Sequence, residues 1–213
     1  TIRPAAYCGV YGYKPTYGIL SLAGVKHLAE SSDTLGLMAR TIDDIALFRS
    51  VLLGDRPVTS VPAPGAAPTI AFCKTPWWDK ADAATQTLLE DGARRLSRAG
   101  AKVKDLVLPK AFADLEDIGW RVTRFELARI LAPEYVDAAE NLSTAAREMI
   151  EFGRTITFDQ YVGAMTKLGT LRHQIHSALK GFDALLMPSA TGEAPKGLAG
   201  TGSVTFNVLP QVM

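Results

Sequence analysis

The sequence has few cysteines, few histidines and almost no net charge, and each shortage excludes a class of protein. Two cysteines among 213 residues, Cys8 and Cys73, are too few for a disulfide scaffold and favour a reduced, cytoplasmic setting. The three histidines form no His-x-x-x-His pair and no Cys-x-x-Cys is present, so we expect no metal site. A net charge of +1 argues against a nucleic-acid partner or a charged membrane surface. No apolar run approaches the length of a transmembrane helix.

Hydrophobic residues make up 47% of the chain, enough for a substantial core in one domain or in a large part of one. Their pattern alternates between strand and helix. It predicts a helix over 41–53 with Thr41 as its cap, an irregular proline-rich segment over 55–68, and strands over 69–73 and 101–108 around a helix at 82–98. This order is typical of an α/β fold with a parallel strand pair.

The rest of the chain is predicted to be mostly helical. Helices are expected between residues 111 and 180 with a break near Pro133, followed by a strand over 182–188 and a glycine-rich loop over 192–202. The apolar stretch 204–213 begins a further element that stops without a terminal signal. Near the beginning of the chain, residues 18–25 are expected to be extended.

The N-terminal segment carries the strongest functional signal. Pro4 suits the first turn of a short helix, and Gly9 can end that helix in a left-handed conformation. Because the residue before a proline is disfavoured in the α region, we expect Arg3 to be extended and to project from the loop at the positive end of this helix.

Two motifs in this region resemble those of the amidase signature family of amide hydrolases. The first runs Pro-Ala-x-x-Cys-Gly-x-x-Gly-x-Lys-Pro-Thr from residue 4 to residue 16, and the second runs Ser-Asp-Thr-Leu-Gly-Leu-Met-Ala-Arg-Thr from residue 32 to residue 41. Later in the chain, residues 182–188 are similar to a further family pattern. The sequence departs from the family at Leu37, where proline is usual, and at Arg3, which lies three positions beyond the expected serine rather than two.

The resemblance implies a mixed central sheet covered by helices, with residues 1–213 forming part of a single amidase signature domain truncated at both ends. The catalytic serine is expected immediately before Thr1, and the second serine and the lysine further upstream, so no residue of this chain is assigned a catalytic role. Serine-based chemistry of this kind calls for no metal and no organic cofactor. The expected partners are a small-molecule amide substrate and the remainder of the same polypeptide, and a homodimer stays open.

Four residues are candidates for substrate binding. Arg3 is well placed to bind a carboxylate through two hydrogen bonds, and the alternative is that it braces the loop. Thr1 adjoins the expected serine, while Trp120 and Asn207 lie in regions from which the family builds its acyl pocket. Lys14 is expected to have a structural role, such as binding backbone carbonyls, and Cys8 is expected to be buried.

The resemblance implies an amidase that hydrolyses a carbon–nitrogen amide bond to an acid and ammonia or an amine through an acyl-serine intermediate. One alternative is the amidase subunit of a tRNA-dependent amidotransferase. Another is an amidase-like protein that binds a ligand without catalysis. The residue before Thr1 separates enzyme from binding protein, since the enzyme requires a serine there.

Overall fold

The computed structural model describes residues 1–198 and 200–212, which form eight α-helices and five β-strands. The helices are α1 (Ile2–Tyr7), α2 (Ile42–Leu53), α3 (Ala83–Arg98), α4 (Leu115–Ile130), α5 (Ala132–Asp137), α6 (Thr144–Thr155), α7 (Phe158–Ala178) and α8 (Thr205–Val212). The strands are β1 (Tyr11–Tyr13), β2 (Leu37–Ala39), β3 (Thr69–Cys73), β4 (Lys102–Leu106) and β5 (Ala184–Leu186). The predicted α/β class is confirmed.

A three-stranded parallel sheet has β3 at its centre, with β4 on one side and β5 on the other. Thr69 pairs with Lys102 and Ile70 pairs with Ala184. All of β3 after its first residue is buried, as expected for a central strand covered on both faces. The predicted strand–helix–strand unit is confirmed, and so is the strand that precedes Pro188.

A second, antiparallel sheet contains β1 and β2. Residues 18–25, in the connection between these two strands, were predicted to be extended, and this prediction is wrong. Those residues form turns instead of an extended segment, with Gly18 and Gly24 at φ values of 80° and 79°. Backbone hydrogen bonds from Ile19 N to Thr16 O and from Val25 N to Leu22 O close these turns. The two glycines supply the left-handed conformations that the turns require, and apolar composition alone did not reveal them.

Side-chain caps fix the starts of four helices, and at α6 Ser143 Oγ accepts from Ala146 N. Thr41 Oγ1 accepts from Asp44 N at the start of α2, and Asp82 Oδ1 accepts from Thr85 N at the start of α3. Thr157 and Gln160 form a reciprocal capping box at the start of α7. Pro133 lies in the first turn of α5, where a missing N–H costs nothing, so the predicted break between helices is confirmed.

The main core lies between the parallel sheet and the helices α4, α7 and α8. Its fully buried side chains include Cys73, Phe112, Leu115, Leu168, Phe206 and Leu209. A smaller cluster of Leu20, Leu37 and Ile45 joins α2 to the antiparallel sheet. Within the described residues, no helix is both long and apolar enough to cross a membrane. The predicted element over 204–213 is α8, although its last residue, Met213, lies outside the described residues.

Candidate active site

Helix α1 begins at Ile2, so Arg3 lies in its first turn and the prediction of an extended Arg3 is wrong. Pro4 is the third residue of the helix, a position at which the backbone N–H has no acceptor within the helix. The preference of the residue before proline is weak enough for other contacts to override it. Here Ala5 N bonds to Thr1 O and Arg3 makes two tertiary hydrogen bonds, and Gly9 follows at a φ of 64° as predicted.

The motif glycines allow α1 to pack closely against its neighbours. A Cβ on Gly12 would lie 2.6 Å from Ala5 Cβ, and a Cβ on Gly36 would lie 1.8 Å from Thr1 Oγ1. Strand β1 and the segment before β2 therefore approach the N-terminal helix more closely than any other residue type would permit. These contacts fix the position of Thr1.

A cavity of ≈ 230 Å³ opens beside the N-terminal residues of α1. We call it the candidate cavity. Helix α8 and the segment Ser32–Thr34 form its other walls. Its lining residues are Thr1, Ile2, Arg3, Pro4, Lys14, Ser32, Asp33, Thr34, Val204, Asn207, Pro210 and Gln211. Three of the four predicted substrate-binding residues, Thr1, Arg3 and Asn207, thus lie around one cavity.

Arg3 joins α1 to the glycine-rich loop that precedes α8. Its Nη1 donates to Gly202 O at 2.8 Å, and its Nη2 donates to Thr201 Oγ1 at 3.0 Å. Gly202 has a φ of 77°, and a Cβ on it would lie 2.6 Å from Tyr7 Oη. The guanidinium therefore braces this loop, and it retains further N–H donors for a ligand.

The remaining two predicted residues have different surroundings. Asn207 Nδ2 donates to Ser189 O at 3.0 Å and so ties α8 to the segment after β5. Trp120 is absent from the lining of the candidate cavity, and its ring packs against the Arg124 guanidinium, 4.8 Å from the ring centroid. The binding role of Trp120 stays a prediction without support from this cavity.

Lys14 lines the cavity as well, and its Nζ donates to Pro15 O at 2.9 Å. This contact is of the kind expected for a structural lysine that binds backbone carbonyls. Partial burial lowers the pKa of the Lys14 ammonium from its ordinary value. Cys8 is exposed at the C-terminal end of α1, next to the turn at Gly9, so the expectation that it is buried is wrong.

Sequence reasoning missed the wall formed by Ser32, Asp33 and Thr34. The second motif begins at Ser32 and could have drawn attention to it. Asp33 Oδ2 accepts from Leu28 N at 2.7 Å and from Ala29 N at 3.0 Å, which fixes the loop that carries these residues. Across residues 1–198 and 200–212, no three His, Cys, Asp or Glu side chains cluster as metal ligands would.

A protein-family model described as Amidase matches residues 2–209. The chain belongs to the amidase family. The match confirms the resemblance inferred from the two N-terminal motifs, and it extends through the sheet to α8. The candidate cavity therefore lies within the matched region, beside the two N-terminal motifs.

Individual amidases and related proteins agree with this assignment. The chain is 27% identical to 2-amino-5-chloromuconic acid deaminase of Comamonas testosteroni over 94% of its own length and 44% of that protein. It is 31% identical to a glutamyl-tRNA(Gln) amidotransferase subunit of Gloeothece citriformis over 51% of its length and 25% of that protein. A crystal structure of an amidase superimposes with a TM-score of 0.85 at 26% identity, covering 98% of this chain and 49% of that one. The chain thus spans half or less of each of these proteins.

Proposed function

We propose that the complete protein is an amidase that hydrolyses a carbon–nitrogen amide bond to an acid and ammonia or an amine. The proposal rests on one observation: Thr1, Arg3 and Asn207 line the same cavity, which lies beside the N-terminal motif of the family. The catalytic serine is placed immediately before Thr1, and the second serine and the lysine further upstream. Residues 1–213 are part of a single amidase signature domain in this proposal.

The proposed reaction proceeds through an ester of the serine. The serine oxygen bonds to the amide carbonyl carbon, and its proton passes through the second serine to a neutral lysine. Backbone N–H groups just before the nucleophile hold the oxyanion. The C–N bond then breaks as the leaving nitrogen takes the proton, and water releases the acid from the ester. This chain contributes the wall of the substrate pocket behind the nucleophile.

The proposed partners are a small-molecule amide and the remainder of the polypeptide, with no nucleic acid and no membrane. A cytoplasmic location and a homodimer belong to the proposal and are open to direct measurement. The second candidate function is that of an amidotransferase subunit, which is favoured by the 31% identity to the amidotransferase protein of Gloeothece citriformis. An amidase-like binding protein without catalysis is the third, and it requires a residue other than serine before Thr1.

The serine mechanism predicts covalent labelling at one position. A fluorophosphonate added to the full-length protein is expected to attach to the residue before Thr1 and to abolish amide hydrolysis, while treatment with a chelator leaves activity unchanged. Peptide mass spectrometry locates the label, and ammonia release measures the activity. Activity that survives labelling but is lost with the chelator would overturn the mechanism. Hydrolysis of glutamine only when a partner protein is present would favour the amidotransferase.

Arg3 is predicted to read a carboxylate on the acyl side of the substrate while it braces the loop. The variants Arg3→Lys and Arg3→Met of the full-length protein are compared on two amides of equal length, one with a terminal carboxylate and one without. The lost charge-assisted hydrogen bond contributes about 1.5–3 kcal/mol. We therefore expect kcat/KM in Arg3→Met to fall roughly ten- to a hundredfold further for the carboxylate substrate than for the uncharged amide. An equal loss on both amides would show that Arg3 is only a brace between α1 and the loop at Gly202.

A further inference from the structure

Ser32 has a buried hydroxyl that no contact within the molecule explains. The residue is 9% exposed and lines the candidate cavity, and its Oγ finds no hydrogen-bond partner in residues 1–198 and 200–212. Burying a hydroxyl without a partner costs free energy, and such groups are rare in native proteins. Such a group requires a partner outside these residues, and the place of Ser32 in the same cavity lining as Thr1 and Arg3 favours a ligand of that cavity.

The backbone around Ser32 is held on both sides. Ser32 N bonds to Ala29 O at 3.0 Å, and Asp33 N bonds to the same oxygen at 2.8 Å. Ser31 N donates to Glu126 Oε2 at 3.0 Å, across 95 positions of sequence. Ser32 is therefore fixed in the cavity wall by its neighbours, and its own side chain takes no part in this scaffold.

The Glu126 carboxylate that holds Ser31 is buried in α4, with only 9% of the residue exposed. Burying a carboxylate costs free energy unless hydrogen bonds compensate for the lost hydration. Its second oxygen, Oε1, accepts from Tyr161 Oη at 2.8 Å, and the Tyr161 ring stacks on Phe125 with 4.2 Å between centroids. Burial, followed by the hydrogen bond to Glu126, raises the pKa of Tyr161 to about 12. The phenol thus remains a donor at neutral pH, and Glu126 is held rigidly between α4 and α7.

We propose that the Ser32 hydroxyl donates a hydrogen bond to a second oxygen of the substrate, distinct from the scissile carbonyl oxygen, and that Glu126 positions it. This inference rests on the proposed amidase function. In that mechanism backbone N–H groups before the nucleophile bind the scissile oxygen. Arg3 and Asn207 each use part of their hydrogen-bonding capacity on the protein, whereas the Ser32 hydroxyl uses none of it. The preferred substrates are therefore amides with a hydroxyl, carbonyl or carboxylate oxygen on the acyl side.

Two isosteric amides test this, lactamide with a hydroxyl and isobutyramide with a methyl group at the same position. In the full-length parent we expect a higher kcat/KM for lactamide. In Ser32→Ala we expect this preference to fall by about two- to twelvefold, the range of one neutral hydrogen bond. The change is expected in KM with kcat retained. Ser32→Thr, which keeps the hydroxyl, is expected to restore the preference.

Ser50 provides a matched control, because it is a buried serine whose hydroxyl is satisfied. Ser50 Oγ donates to Leu47 O at 2.7 Å and accepts from Val58 N at 3.2 Å. Ser50→Ala should lower the melting temperature and leave the lactamide preference unchanged. Ser32→Ala should lower the preference without lowering the melting temperature of the free protein, since it removes an unpaired group.

Glu126→Met removes the acceptor for Ser31 N, and Glu126→Gln retains one. We expect Glu126→Met to reduce the lactamide preference as Ser32→Ala does, and the double variant Ser32→Ala with Glu126→Met to lose no more than either single variant. Glu126→Gln is expected to keep most of the preference.

An unchanged lactamide preference in Ser32→Ala, or an equal loss of preference in Ser50→Ala, overturns the inference. If fluorophosphonate labelling fails, the proposed function fails separately, and the same amide pair is then compared by titration calorimetry. Equal binding of both amides to the parent overturns the Ser32 role in that case.

Discussion

Alanine in place of Gly153 is expected to destabilise the protein by about 3 kcal/mol, the upper part of the usual range for overpacking. Gly153 lies in α6 where that helix crosses α4. A Cβ built on Gly153 would lie 2.0 Å from Arg124 O and 2.8 Å from Ala128 Cβ. The closer atom is a backbone oxygen of α4, which cannot turn away as a side chain can. The two helices must therefore move apart and lose contacts on both sides of the crossing.

Two other helical glycines provide the control for this prediction. Gly163 and Gly169 lie in α7, and a Cβ on either one meets no atom within 4 Å. Alanine at these positions is expected to stabilise the protein by up to about 1 kcal/mol, because alanine loses less backbone entropy in a helix. Denaturant midpoints of the full-length variants, at equal slopes, measure the differences. Equal midpoints for Gly153→Ala and Gly163→Ala would contradict the close crossing of α4 and α6.

Local patterns predicted much of this fold. Strand β3 is apolar and bounded by Pro68 and Lys74, and helix α3 begins at an aspartate cap, so their boundaries were correct to within one or two residues. Features that depend on tertiary contacts were missed. Arg3 is helical in part because its side chain reaches Gly202, 199 positions away, and sequence spacing does not reveal that contact.

The candidate site was likewise predicted where local motifs mark it and missed where tertiary contacts form it. The N-terminal motif led to Thr1 and Arg3, and Asn207 reached the same cavity through the fold. The second motif includes Ser32 but indicates no role for it, because the contact that fixes its neighbour Ser31 comes from Glu126, on a helix distant in sequence. Trp120 was predicted from its region of the chain, from which the family builds its acyl pocket, and its ring packs on a neighbouring arginine of α4. Motifs thus identify the segments of a site, while long-range packing decides which side chains face the cavity.

Gly36→Ala is expected to reduce kcat/KM of the full-length protein by about a hundredfold or more, because small displacements of reacting groups have effects of this size. Gly36 occupies the glycine position of the second motif, directly before β2. A Cβ there would lie 1.8 Å from Thr1 Oγ1, 2.4 Å from Thr1 Cγ2 and 2.5 Å from Thr1 Cβ. Rotation of the short threonine side chain cannot relieve overlap with its own Cβ, so the backbone at Thr1 has to move. In the proposed mechanism, the nucleophile is the residue attached to that backbone.

The overlap between a Cβ at residue 36 and the Thr1 side chain also predicts which second substitution restores activity. Thr1→Gly removes all three overlapping atoms, so the double variant Thr1→Gly with Gly36→Ala is expected to recover at least tenfold of the activity lost in Gly36→Ala. Gly65 lies in the proline-rich segment, where an added Cβ would meet no atom within 4 Å. The control variant Gly65→Ala should therefore retain the parent activity. Ammonia release and the rate of fluorophosphonate labelling are measured for all variants, with the melting temperature as a check on folding. Activity of Gly36→Ala within about threefold of the parent would mean that Gly36 does not set the position of Thr1 and the nucleophile beside it.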